Sequence, residues 1–221
     1  MKTLIIACKT LENELRHAMD ECGCAHDVHW IESGLHNVPK KLTEALQDAI
    51  DASPGYDKAL LAMGYCGNAL AGLRSGGMTL TVARVDDCIS LLLGSYKDRA
   101  ALSKDGGTYF MTEGWLRGER NLWREYLYTI EKYGEEDGAE IFSVMLGNYK
   151  YLALLDTGCF DADRAGEEMK TIAETLNLAY KVIPATVGYL KRLLTGPWDD
   201  DAFLTIAPGS EIKEADLMLA I

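Results

Sequence analysis

The stretch Tyr56–Gly94, YDKALLAMGYCGNALAGLRSGGMTLTVARVDDCISLLLG, decides how the chain is read. It holds two short apolar runs, Lys58–Met63 and Leu80–Val85, and each is followed by a cysteine. Continuous apolar runs of this length read as strands buried on both faces, as in a parallel sheet. Cys66 follows the first run after Gly64-Tyr65, and Cys88 follows the second after Asp86-Asp87. The first apolar run of the chain, Thr3–Ala7, ends in the same way at Cys8. Three strand ends that each deliver a thiol predict one shared site.

Outward from this stretch, strand and helix patterns alternate. Leu11–Glu21 has helical spacing and meets Gly23 where a helix would stop. Asp27–Ile31 reads as a second strand, and Val38–Ile50 as a helix with Asn37 as candidate N-cap and Pro39 in its first turn. Ile89–Leu93 begins a helix that Gly94 ends, and Ser95–Gly107 is a polar connection. Beyond it come a strand at Thr108–Thr112, one long amphipathic helix over Trp115–Tyr133 and a second over Glu140–Asn148. These are followed by a strand at Tyr151–Leu155, a helix at Ala165–Leu176, a strand at Tyr180–Ile183, a helix at Val187–Leu194 and a last strand at Phe203–Ile206. This alternation predicts an α/β fold with mostly parallel, doubly wound sheets, divided into two Rossmann-like lobes of about four strands each. The boundary is expected at 1–100 and 101–221, with a single continuous sheet as the competing arrangement.

Composition narrows the partners. The 221 residues carry a net charge of −12, which argues against nucleic acid and against anionic membrane surfaces. No apolar run approaches the roughly 18–20 residues of a membrane span, and the start MKTLIIACKTLENEL reads as a strand rather than a leader. Six cysteines are too few for a disulfide scaffold, so a cytoplasmic protein with free or metal-bound thiols is expected.

In open α/β sheets, ligands bind outside the carboxyl ends of the strands, where strand order reverses. Cys8, Cys66 and Cys88 belong on that rim, as do Glu113 after Thr108–Thr112 and Asp156 after Tyr151–Leu155. Three thiolates completed by a carboxylate or imidazole suit zinc, or iron. Against this stands the ordinary role of cysteine as a small buried hydrophobe, and no CxxC pair supports the metal reading locally. Of the four histidines, His36 enters a helix on the same rim and is the candidate nitrogen ligand or proton-transfer group. Gly64 and Gly67 would let backbone approach a ligand, with tight turns as the alternative. Asp86-Asp87 precedes a helix and fits a cap better than a metal site. Cys22-Gly23-Cys24 is spaced too tightly for an unstrained disulfide.

These residues resemble the uncharacterised family known as domain of unknown function 1638. The resemblance is carried by Ala7-Cys8 with Glu14-Leu15, Leu35-His36-Asn37-Val38-Pro39, Gly64-Tyr65-Cys66-Gly67, Arg84-Val85-Asp86-Asp87-Cys88-Ile89 and Gly107–Trp115. One departure lies at Met63-Gly64, where the family pattern has Tyr-Gly. The resemblance brings no assigned activity. It implies an association with corrinoid-dependent methyltransferase systems, and it maps Cys8, Cys66, Cys88 and Glu113 onto the rim already described.

Two functions follow as expectations. One is a metal-binding protein in corrinoid-dependent or one-carbon methyl transfer. It would hold zinc or iron on Cys8, Cys66 and Cys88, with His36 or Glu113 completing the shell or moving protons. Gly64, Gly67 and Asp156 would line the ligand site. The other is a non-catalytic accessory protein that binds a small molecule or corrinoid for a methyltransferase. The residues do not decide between enzyme and partner.

Overall fold

The computed structural model describes residues 1–218 as a mixed α/β structure with two mostly parallel sheets. The strands are β1 (Thr3–Cys8), β2 (Asp27–Ile31), β3 (Lys58–Ala62), β4 (Thr79–Ala83), β5 (Gly107–Met111), β6 (Tyr149–Asp156), β7 (Ala179–Pro184) and β8 (Phe203–Ile206). The α-helices are α1 (Glu12–Cys22), α2 (Pro39–Asp51), α3 (Cys88–Leu93), α4 (Tyr96–Leu102), α5 (Glu113–Arg117), α6 (Leu122–Tyr133), α7 (Glu135–Met145), α8 (Ala162–Thr175) and α9 (Gly188–Thr195).

The first sheet has the order β2-β1-β3-β4-β8, parallel except for β8. Its central strands are largely apolar because helices cover both faces; every residue of β3 is buried, its leading Lys58 included. The chain leaves β1 toward β2 on one side and returns to β3 on the other, so strand order reverses between β1 and β3. Cys8 ends β1, and Cys66 follows β3 by four residues. The second sheet, β5-β6-β7, is wholly parallel.

The strand shares differ from the expected four and four. β8, expected in the second half, pairs antiparallel with β4 in the first sheet, and α9 packs on α1, β3 and β4. The segment that builds the second sheet is therefore inserted between α4 and α9. The expected boundary at residue 100 falls inside α4, which replaces the polar connection and is capped by Ser95, whose Oγ accepts from the Asp98 N–H.

The long helix expected over Trp115–Tyr133 is broken. Asn121 is the cause: its Oδ1 accepts from the Arg124 N–H and caps α6, while its Nδ2 donates to the carbonyls of Trp115, Leu116 and Gly118. One buried amide thus ends α5 and starts α6, and helical periodicity runs on across the gap. A smaller correction concerns α2. Val38 occupies the N-cap, and Asn37 lies one residue too early in a 3-10 turn.

Candidate functional site: a thiol-floored cleft

Between the two sheets lies a cavity of about 310 Å³. Cys8, Cys66, Cys88 and His36 all line it, brought together from four separate parts of the chain. The opposite wall comes from the second sheet and α5: Tyr109, Phe110, Trp115 and Tyr149.

The three thiols reach one another through the reversal point. Cys8 projects from the end of β1, its Sγ 3.0 Å from the Thr10 hydroxyl. Cys88 opens α3, where Asp87 caps the helix by accepting from the Ser90 N–H at 2.9 Å. Cys66 sits in left-handed backbone at φ 46°, followed by Gly67 and Asn68 at φ 69° and 65°. That conformation costs a non-glycine residue on the order of 1 kcal/mol. It is held by the Tyr65 and Cys66 N–H groups, which donate to the carbonyls of Val85 and Asp86. The loops after β3 and β4 therefore lie against each other, and Cys88 lies beside both Cys8 and Cys66. Gly64 makes the approach feasible: a Cβ there would lie 2.4 Å from the Asp87 backbone.

Electrostatics keep two of these thiols, Cys8 and Cys88, neutral. Contact with Cys88 and burial push the Cys8 thiol well above its usual range. Cys88 is pushed the same way by its contact with Cys66 and by burial. Burial lowers His36, while Asp87 and Glu125 pull it back up, so the imidazole is a neutral donor-acceptor near pH 7. Burial raises Asp87, partly offset by its Ser90 hydrogen bond and by Arg99, which forms ion pairs with Asp87 at 3.2 Å and Asp86 at 2.8 Å. Burial also pushes the Tyr109 phenol up to about 12. Among the described residues, no group of three His, Cys, Asp or Glu side chains could hold a metal ion as they stand.

Other candidates lie elsewhere. Glu113 is not in the cavity wall; it accepts from the Asn13 amide at 3.1 Å and faces Arg117, tying α5 to α1. Asp156 folds back to accept from the Gly158 N–H. Both end strands of the second sheet, which meets the cleft through its edge strand β5 rather than through its carboxyl ends. Gly64 lies behind the floor, and Gly67 lines a neighbouring cavity. Cys22, Cys24 and Cys159 are free thiols.

Sequence reading missed Arg99, Tyr109, Trp115 and Tyr149. Arg99 fell in a stretch read as a linker. The aromatics carried only packing periodicity, which does not show which ring faces a cleft.

A buried carboxyl behind the cleft gives a test of the lobe contact. Glu14 is fully buried; its Oε1 accepts from the Thr157 hydroxyl at 3.0 Å and its Oε2 has no partner. Burial raises it, and nearby Glu113 adds to the rise. A carboxyl whose folded value is raised stabilises the fold below its unfolded value, and that contribution is lost as pH climbs through the folded value. Glu14→Gln is therefore expected to raise Tm relative to wild type at pH 8 and to leave it nearly unchanged at pH 4. Paired thermal melts check this, and an equal shift at both pH values would refute it.

No helix among the described residues is long and apolar enough to cross a membrane. One family model, that of the proteins of unknown function DUF1638, matches residues 30–194. The match includes His36, Cys66 and Cys88; β1 with Cys8 and the closing strand β8 fall outside it. None of the curated proteins and none of the solved structures matches the chain.

Proposed function

The chain belongs to the DUF1638 family of proteins of unknown function, and we propose that its working group is the trio of Cys8, Cys66 and Cys88. In this reading the trio is a thiolate site for zinc or iron on the floor of the interlobe cleft. The observation that carries it is the packing of Cys88 between Cys8 and Cys66 at the strand-order reversal. Three sulfurs from distant segments gain little from one another as neutral thiols. Once their protons leave, they form a soft donor set that only a cation can hold together.

His36 is the cleft's nitrogen donor and is nearer to this role than Glu113, which is engaged by Asn13. Bound there, the metal would supply Lewis acidity and keep the sulfurs deprotonated. His36, kept neutral by burial, would take or give a proton at the cleft, and the aromatic wall would exclude water. A cleft of about 310 Å³ is at the small end for ligand sites. It suits a one-carbon or other small substrate and leaves no room to enclose a corrin ring. We accordingly place the protein as a cytoplasmic component of corrinoid-dependent, one-carbon methyl transfer that meets its corrinoid partner from outside. Six unpaired cysteines are in keeping with a reducing compartment.

The test is elemental analysis of the purified protein, with cobalt(II) titration read by thiolate-to-cobalt absorption. One bound metal per chain, lost in Cys66→Ser, is the expected result. Metal below about a tenth of an equivalent, with no cobalt absorption, would overturn the proposal.

A second reading is favoured by the lack of ready chelating geometry: an accessory protein that binds a small molecule or corrinoid without catalysis. It predicts a rise in Tm with cobalamins or one-carbon substrates in metal-free protein.

A further inference from the structure

The loops that build the thiol floor have a second face. Cys66, Asp87 and Cys88 line the cleft, while Tyr65, Gly67, Asn68, Arg84 and Asp86 line a separate cavity of about 760 Å³. The left-handed turn at 66–68 is the wall between them.

This second cavity holds unanswered polar groups. The Tyr65 hydroxyl, the Arg84 Nε and the Asp86 Oδ1 are all buried without a hydrogen-bond partner, and Tyr65 is only 3% exposed. Arg84 donates one N–H to the Asp216 carbonyl at 3.0 Å, and among the described residues no carboxylate pairs with its charge. Asp86 accepts from the Arg99 guanidinium at Oδ2, and its Oδ1 has no partner. A half-buried guanidinium without a counter-ion costs stability that an anionic occupant would return. The unpaired carboxylate oxygen asks for an N–H or O–H on the same occupant. Asp86, Asp200 and Asp201 around the cavity disfavour a doubly charged anion, so a single carboxylate fits better than a phosphate.

We propose that this cavity is a ligand site for a small α-amino or α-hydroxy carboxylic acid. Its carboxylate is held by Arg84 and Tyr65 and its α-donor by Asp86, after a turn of the Tyr65 and Arg84 side chains toward the cavity. The proposal stands apart from the thiol reading and survives its failure.

The experiment is a thermal-shift screen of the full chain against the L-amino acids, lactate and glycerate at millimolar concentration, with inorganic phosphate alongside. Hits are then measured by calorimetric titration. At least one acid is expected to raise Tm by several degrees. Its Kd should rise about tenfold or more in Arg84→Met and in the isosteric Tyr65→Phe, and stay unchanged in Gly77→Ala, which lies away from the cavity. No shift with any acid, a shift that survives both substitutions, or a shift with phosphate alone would overturn the assignment. If Arg84→Met does not fold, Tyr65→Phe decides.

Discussion

Gly64→Ala is expected to be severely damaging for a change of a single methyl group. The added Cβ would sit 2.4 Å from the Asp87 Cα and carbonyl carbon, both backbone atoms at the start of a capped helix. Neither neighbour can swing away as a side-chain end would, so the two loops must part. Overpacking of this kind costs about 3 kcal/mol or more, which in a chain of this size corresponds to a fall in Tm of about 10 °C. Gly77 is the control, because nothing lies within 4 Å of its Cβ position and its backbone is not left-handed. Gly77→Ala should leave Tm within about 2 °C of wild type. Similar melting points for the two variants would mean that the loops do not meet as described. Gly64→Ala should also separate Cys66 from Cys88, so any thiol-dependent ligand would be lost with it.

The second large effect concerns pH. Cys8 is raised above the usual thiol range by Cys88 and by burial, and Cys88 by Cys66 and by burial, so both hold their protons at neutral pH. On the thiolate-metal reading, three protons must leave as the cation enters. Below the thiol values, apparent affinity should then rise about a thousandfold per pH unit, the product of three tenfold terms. Cobalt(II) titrations at pH 6.5, 7.5 and 8.5 measure the slope. A flat profile would mean that the sulfurs do not serve as ligands. A slope of about tenfold would mean that a single thiolate binds and that the trio does not act as a unit. Cys88→Ser should remove most of the steepness, because Cys88 is the sulfur that touches both others.

Much of the first sheet was legible because its signals are local. β1, β3 and β4 are short apolar runs, and each thiol lies just past a strand end, so the sequence places Cys8, Cys66 and Cys88 on one rim once the strands are parallel. Asp87 capping α3 was legible for the same reason. The second sheet was harder to read. Whether Glu113 and Asp156 share the cleft depends on how one sheet is turned against another, and no periodicity encodes that angle. The sheet presents its edge strand β5, so two rings with no site signal in the sequence, Tyr109 and Trp115, form the wall. The break at Asn121 hid because its amide recruits three carbonyls from the preceding turn, a tertiary economy within an unbroken helical pattern. β8 looked like one more parallel strand, and its antiparallel pairing with β4 has no local signature.

That pairing also bears on how the molecule is made. β4 leaves the ribosome more than a hundred residues before β8, with the whole second sheet synthesised in between. Through that interval the nascent first lobe carries a bare, apolar strand flank, the kind of surface that recruits neighbouring chains or chaperones. The cavity beside Arg84 takes Asp200, Asp201 and Leu217 from the region around β8, so it takes shape only when the last stretch docks. An acid that lodges there would act as a latch on a completed chain, and its presence during translation should raise the yield of native protein.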